Sequence, residues 1–153
     1  MIAVRHALLE EYEAASSLSW RIFGPVFAAT DAREVVHAVT NLREGGELVV
    51  AVEDAILVGL AVYLPPEQAS GRDQAVISLL GVDACCRRRG AGRHLVDACV
   101  TLARSDGSAT LAITVPDSLA EAAAFLADLG LQPAGAALSV FGTPARTWQR
   151  SVR

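Results

Sequence analysis

Lysine is absent from this 153-residue chain, whose 13 basic residues are all arginine. That absence excludes a P-loop lysine, a kinase-type ATP-anchoring lysine and a Schiff-base lysine for pyridoxal phosphate. Cysteine is scarce. Cys85, Cys86 and Cys99 are too few and too unevenly placed for a secreted disulfide framework or a zinc site. The adjacent Cys85 and Cys86 are badly spaced for an unstrained bridge. His6, His37 and His94 show no ligand spacing, so no metal is expected. No apolar run approaches the roughly 18 residues of a membrane helix, because Glu53-Asp54 and Pro65-Pro66 interrupt the longest ones. The opening Met1-Ile2-Ala3-Val4-Arg5-His6 lacks a basic region followed by an apolar run, so no signal peptide is expected and the reading is a cytoplasmic, reduced protein. Aromatic residues make up 5% of the chain and the formal net charge is -4, which argues against a general nucleic-acid binder.

What is present points to one folded domain over residues 1–153. At 52% hydrophobic the chain is too apolar for disorder, and its length is enough to bury a core. Ile2 to Arg5 reads as a strand. Residues 8–22 then place Leu8, Leu9, Tyr12, Ala15, Leu18 and Ile22 at helical spacing until Gly24-Pro25. A second helix is expected from Asp31 through Val35, Val36 and Val39 to Gly45-Gly46. The β-branched segments 47–53 (ELVVAVE) and 55–64 (AILVGLAVYL) read as a hairpin meeting at Glu53-Asp54. After a loop over 65–74 come a strand over Ala75–Val82, a helix over Arg89–Arg104 and a strand over Ala109–Val115. A helix over Ser118–Leu129 carries a capping box, Ser118 with Glu121, and Gly130 as its C-terminal cap. Two last strands, Ala134–Phe141 and Arg146–Val152, flank Gly142–Pro144. The expected class is α/β (α+β): one mixed, mostly antiparallel sheet with one parallel strand pair, flanked by about four helices.

The chemistry concentrates between Leu79 and Arg93. A buried strand ends at Leu80-Gly81-Val82, and a loop containing Cys85, Cys86, Arg87, Arg88, Arg89 and Gly90 opens into a helix through Ala91, Gly92 and Arg93. Backbone N–H groups at a helix start are unpaired, and the helix dipole favours an anion there. Gly90 and Gly92 would keep side chains clear of an approaching phosphate, and guanidinium groups match phosphate oxygens two at a time. Three other readings compete. An arginine run is often a solvated face; a dinucleotide fold would need a third glycine and an earlier first one; a nucleic-acid patch would interleave aromatic residues. On residues alone a phosphate-bearing ligand leads.

The run from Val82-Asp83 through Arg87-Arg88-Arg89-Gly90-Ala91-Gly92-Arg93-His94-Leu95 resembles the signature of the GNAT superfamily of N-acetyltransferases, whose Q/R-x-x-G-x-G/A motif matches Arg87, Gly90 and Gly92. Leu95-Val96-Asp97-Ala98 and the later Ala122–Leu131 segment are similar to that family as well. The resemblance implies acetyl-CoA as co-substrate and an amine acceptor, small molecule or peptide. It implies that the strand ending at Leu80-Gly81-Val82 pairs with the pantetheine arm, Gly81 leaving room for it, while Arg87 to Arg93 hold the pyrophosphate. A homodimer is compatible with it, whereas no nucleic-acid or membrane partner is expected.

The chain departs from the family pattern at three positions. Ala84 replaces a proline, Leu126 stands where a tyrosine often serves as acid for the departing thiolate, and Ser118 or Leu119 stands in place of an asparagine. No catalytic residue is therefore assigned. Tyr63 offers a replacement hydroxyl, although packing is the commoner role of a strand tyrosine. Glu53 offers a base, although a hairpin joint favours exposure. Cys99 reads as buried and inert, whereas Cys85 and Cys86 lie beside three arginines. Tyr12, Trp20, Phe23 and Phe27 form either an acceptor-side aromatic group or ordinary core. The missing tyrosine leaves a second reading open: a non-catalytic acyl-CoA-binding sensor or partner module of the same fold.

Overall fold

A computed structural model describes residues 1–23, 46–66, 73–87, 89–117, 120–140 and 143–153. Seven strands form one sheet: β1 (Ile2–His6), β2 (Glu47–Glu53), β3 (Ile56–Leu64), β4 (Gln74–Val82), β5 (Thr110–Pro116), β6 (Gln132–Val140) and β7 (Thr143–Ser151). Their spatial order is β1-β2-β3-β4-β5-β7-β6. Every pairing is antiparallel except β4 with β5, which are parallel and joined through a helix, as the sequence pattern predicts. Three α-helices occur among the described residues: α1 (Tyr12–Phe23), α2 (Ala91–Ser105) and α3 (Ala120–Asp128). A fourth, expected from Asp31, and Ser118 of the expected capping box lie outside the described residues.

The central strands are apolar almost without alternation because both sheet faces are covered. Leu48 and Val50 of β2 and Leu60 and Val62 of β3 pack with Ala15, Leu18, Ile22 and Phe23 of α1. Their neighbours Val49, Ala51, Ala61 and Tyr63 point the other way, onto Leu95, Val96, Cys99 and Ala103 of α2 and Leu126 and Leu129 of α3. Period-two alternation thus sorts side chains between two cores rather than between core and water.

Several boundaries differ from the sequence reading. The first helix begins as a 3-10 turn, Leu9–Glu11, and becomes α-helical only at Tyr12. Glu11 accepts hydrogen bonds from the Arg5 guanidinium (2.7 and 2.9 Å) and from the Leu8 N–H (2.8 Å), which hold its carboxyl down at about 2. Helix α2 starts at Ala91 rather than Arg89, because Gly90 has a left-handed backbone (φ 87°) that cannot continue a helix. Gly130, also at positive φ, closes α3 as predicted: its N–H reaches Ala127 and the Leu131 N–H reaches back to Leu126 (3.0 Å).

The β2–β3 connection is a two-residue turn, with Glu53 opposite Ile56. Both turn residues have positive φ, 52° at Asp54 and 65° at Ala55, as a type I′ turn needs. Aspartate tolerates this region, but alanine is strained there by roughly 1–2 kcal/mol. Ala55→Gly should therefore stabilise the protein by about 1 kcal/mol, raising the melting temperature by about 3 °C for a chain of this size. A thermal scan of the variant checks this, and an unchanged or lower midpoint would contradict the turn assignment.

Candidate functional site

The parallel pair is short. Strand β4 runs beside β5 only from Gln74 to Ile77, opposite Thr110 to Ile113. Beyond that point β4 continues to Val82 against β3, and β5 continues to Pro116 against β7. From Ser78 to Val82 the β4 edge that faced β5 thus has no strand beside it, and alternate N–H and C=O groups along it are left unpaired by the sheet. The parting coincides with a β-bulge. Val62 pairs with Leu79 but the next residue, Tyr63, pairs with Ile77, so Ser78 is the extra residue. A bulge bends its strand and increases twist, and this one turns β4 away from β5. Ser78 is the exposed residue of a strand whose other residues are buried or half-buried.

The amino end of α2 follows closely on the end of this open edge. Its first internal hydrogen bond is His94 N–H to the Gly90 carbonyl (3.0 Å), so the N–H groups of Ala91, Gly92 and Arg93 precede the helix's own ladder. No side chain caps this end, and no acidic residue lies in the first turn. Fifteen residues of helix therefore present an uncompensated positive end, suited to an anion.

The intervening loop is tied down at several points. The Asp83 N–H donates to the Val58 carbonyl (2.8 Å), and the Asp83 carboxylate accepts from Arg21 of α1 (3.3 Å). Arg87 Nε donates to the Val82 carbonyl (3.3 Å), and Arg89 is ion-paired with Glu53 at the end of β2. Arg93 is exposed and forms no ion pair among the described residues. Arg88 lies outside the described residues. Arg87 and Arg89 thus fasten the loop, whereas Arg93 is the arginine of this segment that remains uncommitted among the described residues.

The structure shows further constraints at these glycines. A Cβ on Gly81 would lie 2.8 Å from Ile22 Cγ2 and 3.0 Å from Phe23 Cζ, so α1 occupies that space. A Cβ on Gly92 would lie 3.1 Å from Phe125 Cζ, so Gly92 lets α3 pack on α2. At Gly90 no atom lies within 4 Å of such a Cβ; the positive φ is what requires glycine there.

Most other candidates are buried or have partners within the protein. Tyr63 is 1% exposed, and its hydroxyl donates to Asp106 Oδ2 (2.6 Å). Burial, reinforced by Asp106, pushes this phenol far above its ordinary range. Asp106 closes the carboxyl end of α2, about 20 Å of helix from the amino end. Leu126 is buried in the α2–α3 core. Glu53 is the partner of Arg89, not a free base. Cys99 is buried, and burial pushes its thiol up to about 12. Tyr12 and Phe23 belong to the core under α1, Trp20 is 45% exposed, and Phe27 and His37 lie outside the described residues. Sequence reasoning missed Ser78 and the Arg21–Asp83 tie. A lone hydroxyl inside an apolar strand was the available signal for the first; nothing local signals the second.

A family model described as acetyltransferase (GNAT) family matches residues 8–131. Solved structures share the fold over nearly their whole length. An acetyltransferase of the GNAT family from Staphylococcus aureus Mu50 superposes with a TM-score of 0.83 at 16% identity, covering 100% of both chains. The ribosomal-protein-S18-alanine N-acetyltransferase from Escherichia coli gives 0.76 at 19% identity, covering 99% of this chain and 94% of that one. The PaiA N-acetyltransferase from Thermoplasma acidophilum, solved in complex with coenzyme A, gives 0.73 at 12% identity over 99% of each. Among curated protein sequences none matches the chain significantly.

The position of Tyr63 generates a test. Tyr63→Phe removes one hydrogen bond to a carboxylate that can rehydrate, so it should cost about 1 kcal/mol in urea unfolding. A variant as stable as the parent would show that the Tyr63–Asp106 bond does not hold α2 to β3.

Proposed function

The chain belongs to the acetyltransferase (GNAT) family, and from that premise we propose that it transfers an acetyl group from acetyl-CoA to a primary amine by direct attack. The observation that carries this reading is the parting of β4 from β5 immediately before an uncapped helix start. The open edge of Leu80, Gly81 and Val82 suits an amide-bearing arm that pairs as an added strand would. The amides leading into α2, from Arg89 and Gly90 through Ala91, Gly92 and Arg93, suit the pyrophosphate. Arg87 and Arg89 would assist mainly by charge and by fixing the loop, Arg88 by charge, and the Arg93 side chain would be the principal counter-charge. The acceptor would be the neutral amine of a small molecule or a peptide. The absence of lysine means that no ε-amine of the protein itself competes for the donor.

The reaction needs an unprotonated amine and a leaving thiolate. A thiol of ordinary pKa, about 8.5, already leaves tolerably near neutral pH. Acid assistance typically contributes about 10²–10⁴-fold, so a site without an acid is slow rather than dead. Leu126 cannot donate a proton, and the Tyr63 hydroxyl is buried and already donates to Asp106. The same two residues favour the second reading, an acyl-CoA-binding module without turnover.

An amine panel of polyamines, aminoglycosides, amino acids and peptide amino termini, with release of CoA thiol as readout, separates the two readings. Direct transfer predicts turnover that rises with pH as the amine deprotonates and then levels off. No fall should appear near pH 10, the ordinary value of a tyrosine acid. Tight acetyl-CoA binding with no thiol release from any amine would support the binding module instead. In parallel, Arg93→Glu should weaken acetyl-CoA binding about tenfold in calorimetry, because it reverses charge at the helix start. Its stability should hardly change, since Arg93 has no partner to lose among the described residues. Unchanged affinity would place the pyrophosphate elsewhere.

A further inference from the structure

Between the open edge of β4 and the start of α2, the residues Ala84–Cys86 form a 3-10 turn that no step of the proposed reaction uses. Its two cysteine side chains point the same way, with Cys85 Sγ and Cys86 Sγ 3.0 Å apart in a thiol–thiol hydrogen bond. Cys85 is exposed, whereas Cys86 is 8% exposed and packs into the α2 core. The third cysteine, Cys99, is fully buried in that core. We propose that Cys85 and Cys86 are a reversible disulfide modification site for small-molecule disulfides, and that closing the pair weakens acetyl-CoA binding. This rests on the reading that the β4–β5 cleft takes acetyl-CoA.

The chemistry is ordinary thiol–disulfide exchange. The exposed Cys85 thiolate attacks one sulfur of glutathione disulfide, the glutathione S–S bond breaks and a glutathione thiolate leaves. Cys86 sulfur, its proton lost to solvent, then attacks Cys85 sulfur and displaces the second glutathione. Two protein thiols are oxidised to one disulfide, and one disulfide is reduced to two glutathione thiols. Cys86 is the slower partner. Its neighbouring thiol, followed by burial, pushes it up to about 11, so it resolves the mixed disulfide rather than opening the exchange.

Geometry makes the closed form both reachable and labile. The sulfurs need to approach by about 1 Å to reach bonding distance, roughly 2.0 Å. Adjacent Cα atoms, however, are about 3.8 Å apart across a trans peptide, below the usual disulfide window of roughly 4.4–6.8 Å. A strained bridge has a higher reduction potential and is readily reopened by thiols, which suits a reversible device rather than a structural one. The strain has to pass into the neighbouring backbone. On one side stands Asp83, whose carbonyl accepts from the Cys86 N–H (2.9 Å); on the other stands Arg87, which holds the Val82 carbonyl. Both are fastenings of the loop that presents the α2 amino end. Closing the pair also draws the Cys86 side chain out of its core position.

The test uses the intact protein, reduced and then treated with glutathione disulfide. Peptide mapping should find a Cys85–Cys86 bridge with the loss of two hydrogens. Calorimetry should show acetyl-CoA affinity falling about tenfold, within the usual span of coupling between sites, and recovering with dithiothreitol. Linkage requires the converse, so at a fixed ratio of glutathione to its disulfide, saturating acetyl-CoA should shift the pair about tenfold toward the dithiol. Cys85→Ser should bind acetyl-CoA like the parent and lose the response, while Cys99→Ser should keep it. A stable glutathione adduct on Cys85 with no internal bridge would overturn the closing of the Cys85–Cys86 pair, and with it the proposal. A bridge that leaves affinity unchanged would overturn the coupling alone. Failure of the reduced protein to bind acetyl-CoA would overturn the functional reading itself, and the coupling with it.

Discussion

The only parallel pairing in the described sheet stops after Ile77, and the rest of the site follows from that parting. Had β4 and β5 stayed together to Val82 and Pro116, every ladder position would have been filled within the sheet. Instead the extra residue at Ser78 bends β4 away while β3 still holds it on the other side. The two strands diverge with their outer partners intact, so the open edge is bounded by well-packed structure. Ile77 and Ile113, the last paired residues, are both buried in the α2 core. The cleft is thus well packed at its root, with both strands held by their outer partners, and open at its mouth.

Helix α2 depends on the same geometry. It leaves from the end of β4 and returns the chain to β5, so its amino end must lie near the mouth where the strands separate. Its packing is secured by Leu95, Cys99 and Ala103 against the sheet, by Gly92 against Phe125, and by the Tyr63–Asp106 bond at the far end. The amino end itself is left without a side-chain cap. The loop before it is instead held by Arg21–Asp83, Arg87–Val82 and Arg89–Glu53, which draw on α1, β4 and β2 respectively. Arg87 and Arg89, which read as phosphate ligands in the sequence, thus also have partners within the protein and hold the loop through them.

Much of this was legible in the sequence. The β-branched runs over 47–64, the return to helical spacing expected from Arg89 and the glycine at 130 each encode a local preference, and the structure follows them, with the helix starting two residues later at Ala91. The parallel pair followed from a strand-helix-strand order that permits little else. What was not legible depends on partners distant in sequence. Gly81 read as clearance for a ligand; the constraint that the structure adds comes from Ile22 and Phe23, some sixty residues earlier. Glu53 and Arg89 are 36 residues apart, and neither carries any local sign of the other. Tyr63 was ambiguous until the end of α2 supplied Asp106. The bulge at Ser78 lies between these cases: a serine in an apolar strand hints at irregularity, but only the register shows that the strand turns there.

Amide hydrogen exchange with and without acetyl-CoA tests the central claim most directly, because it reads the backbone groups on which the account depends. The open edge of β4 and the amides leading into α2 should gain protection on binding, with Ser78–Val82 and Gly90–Arg93 showing the largest change. Residues 74–77, already paired with β5, should change little. Binding that protects other segments and leaves Ser78–Val82 exchanging as before would contradict the account, because the parting of β4 and β5 would then not be the binding site.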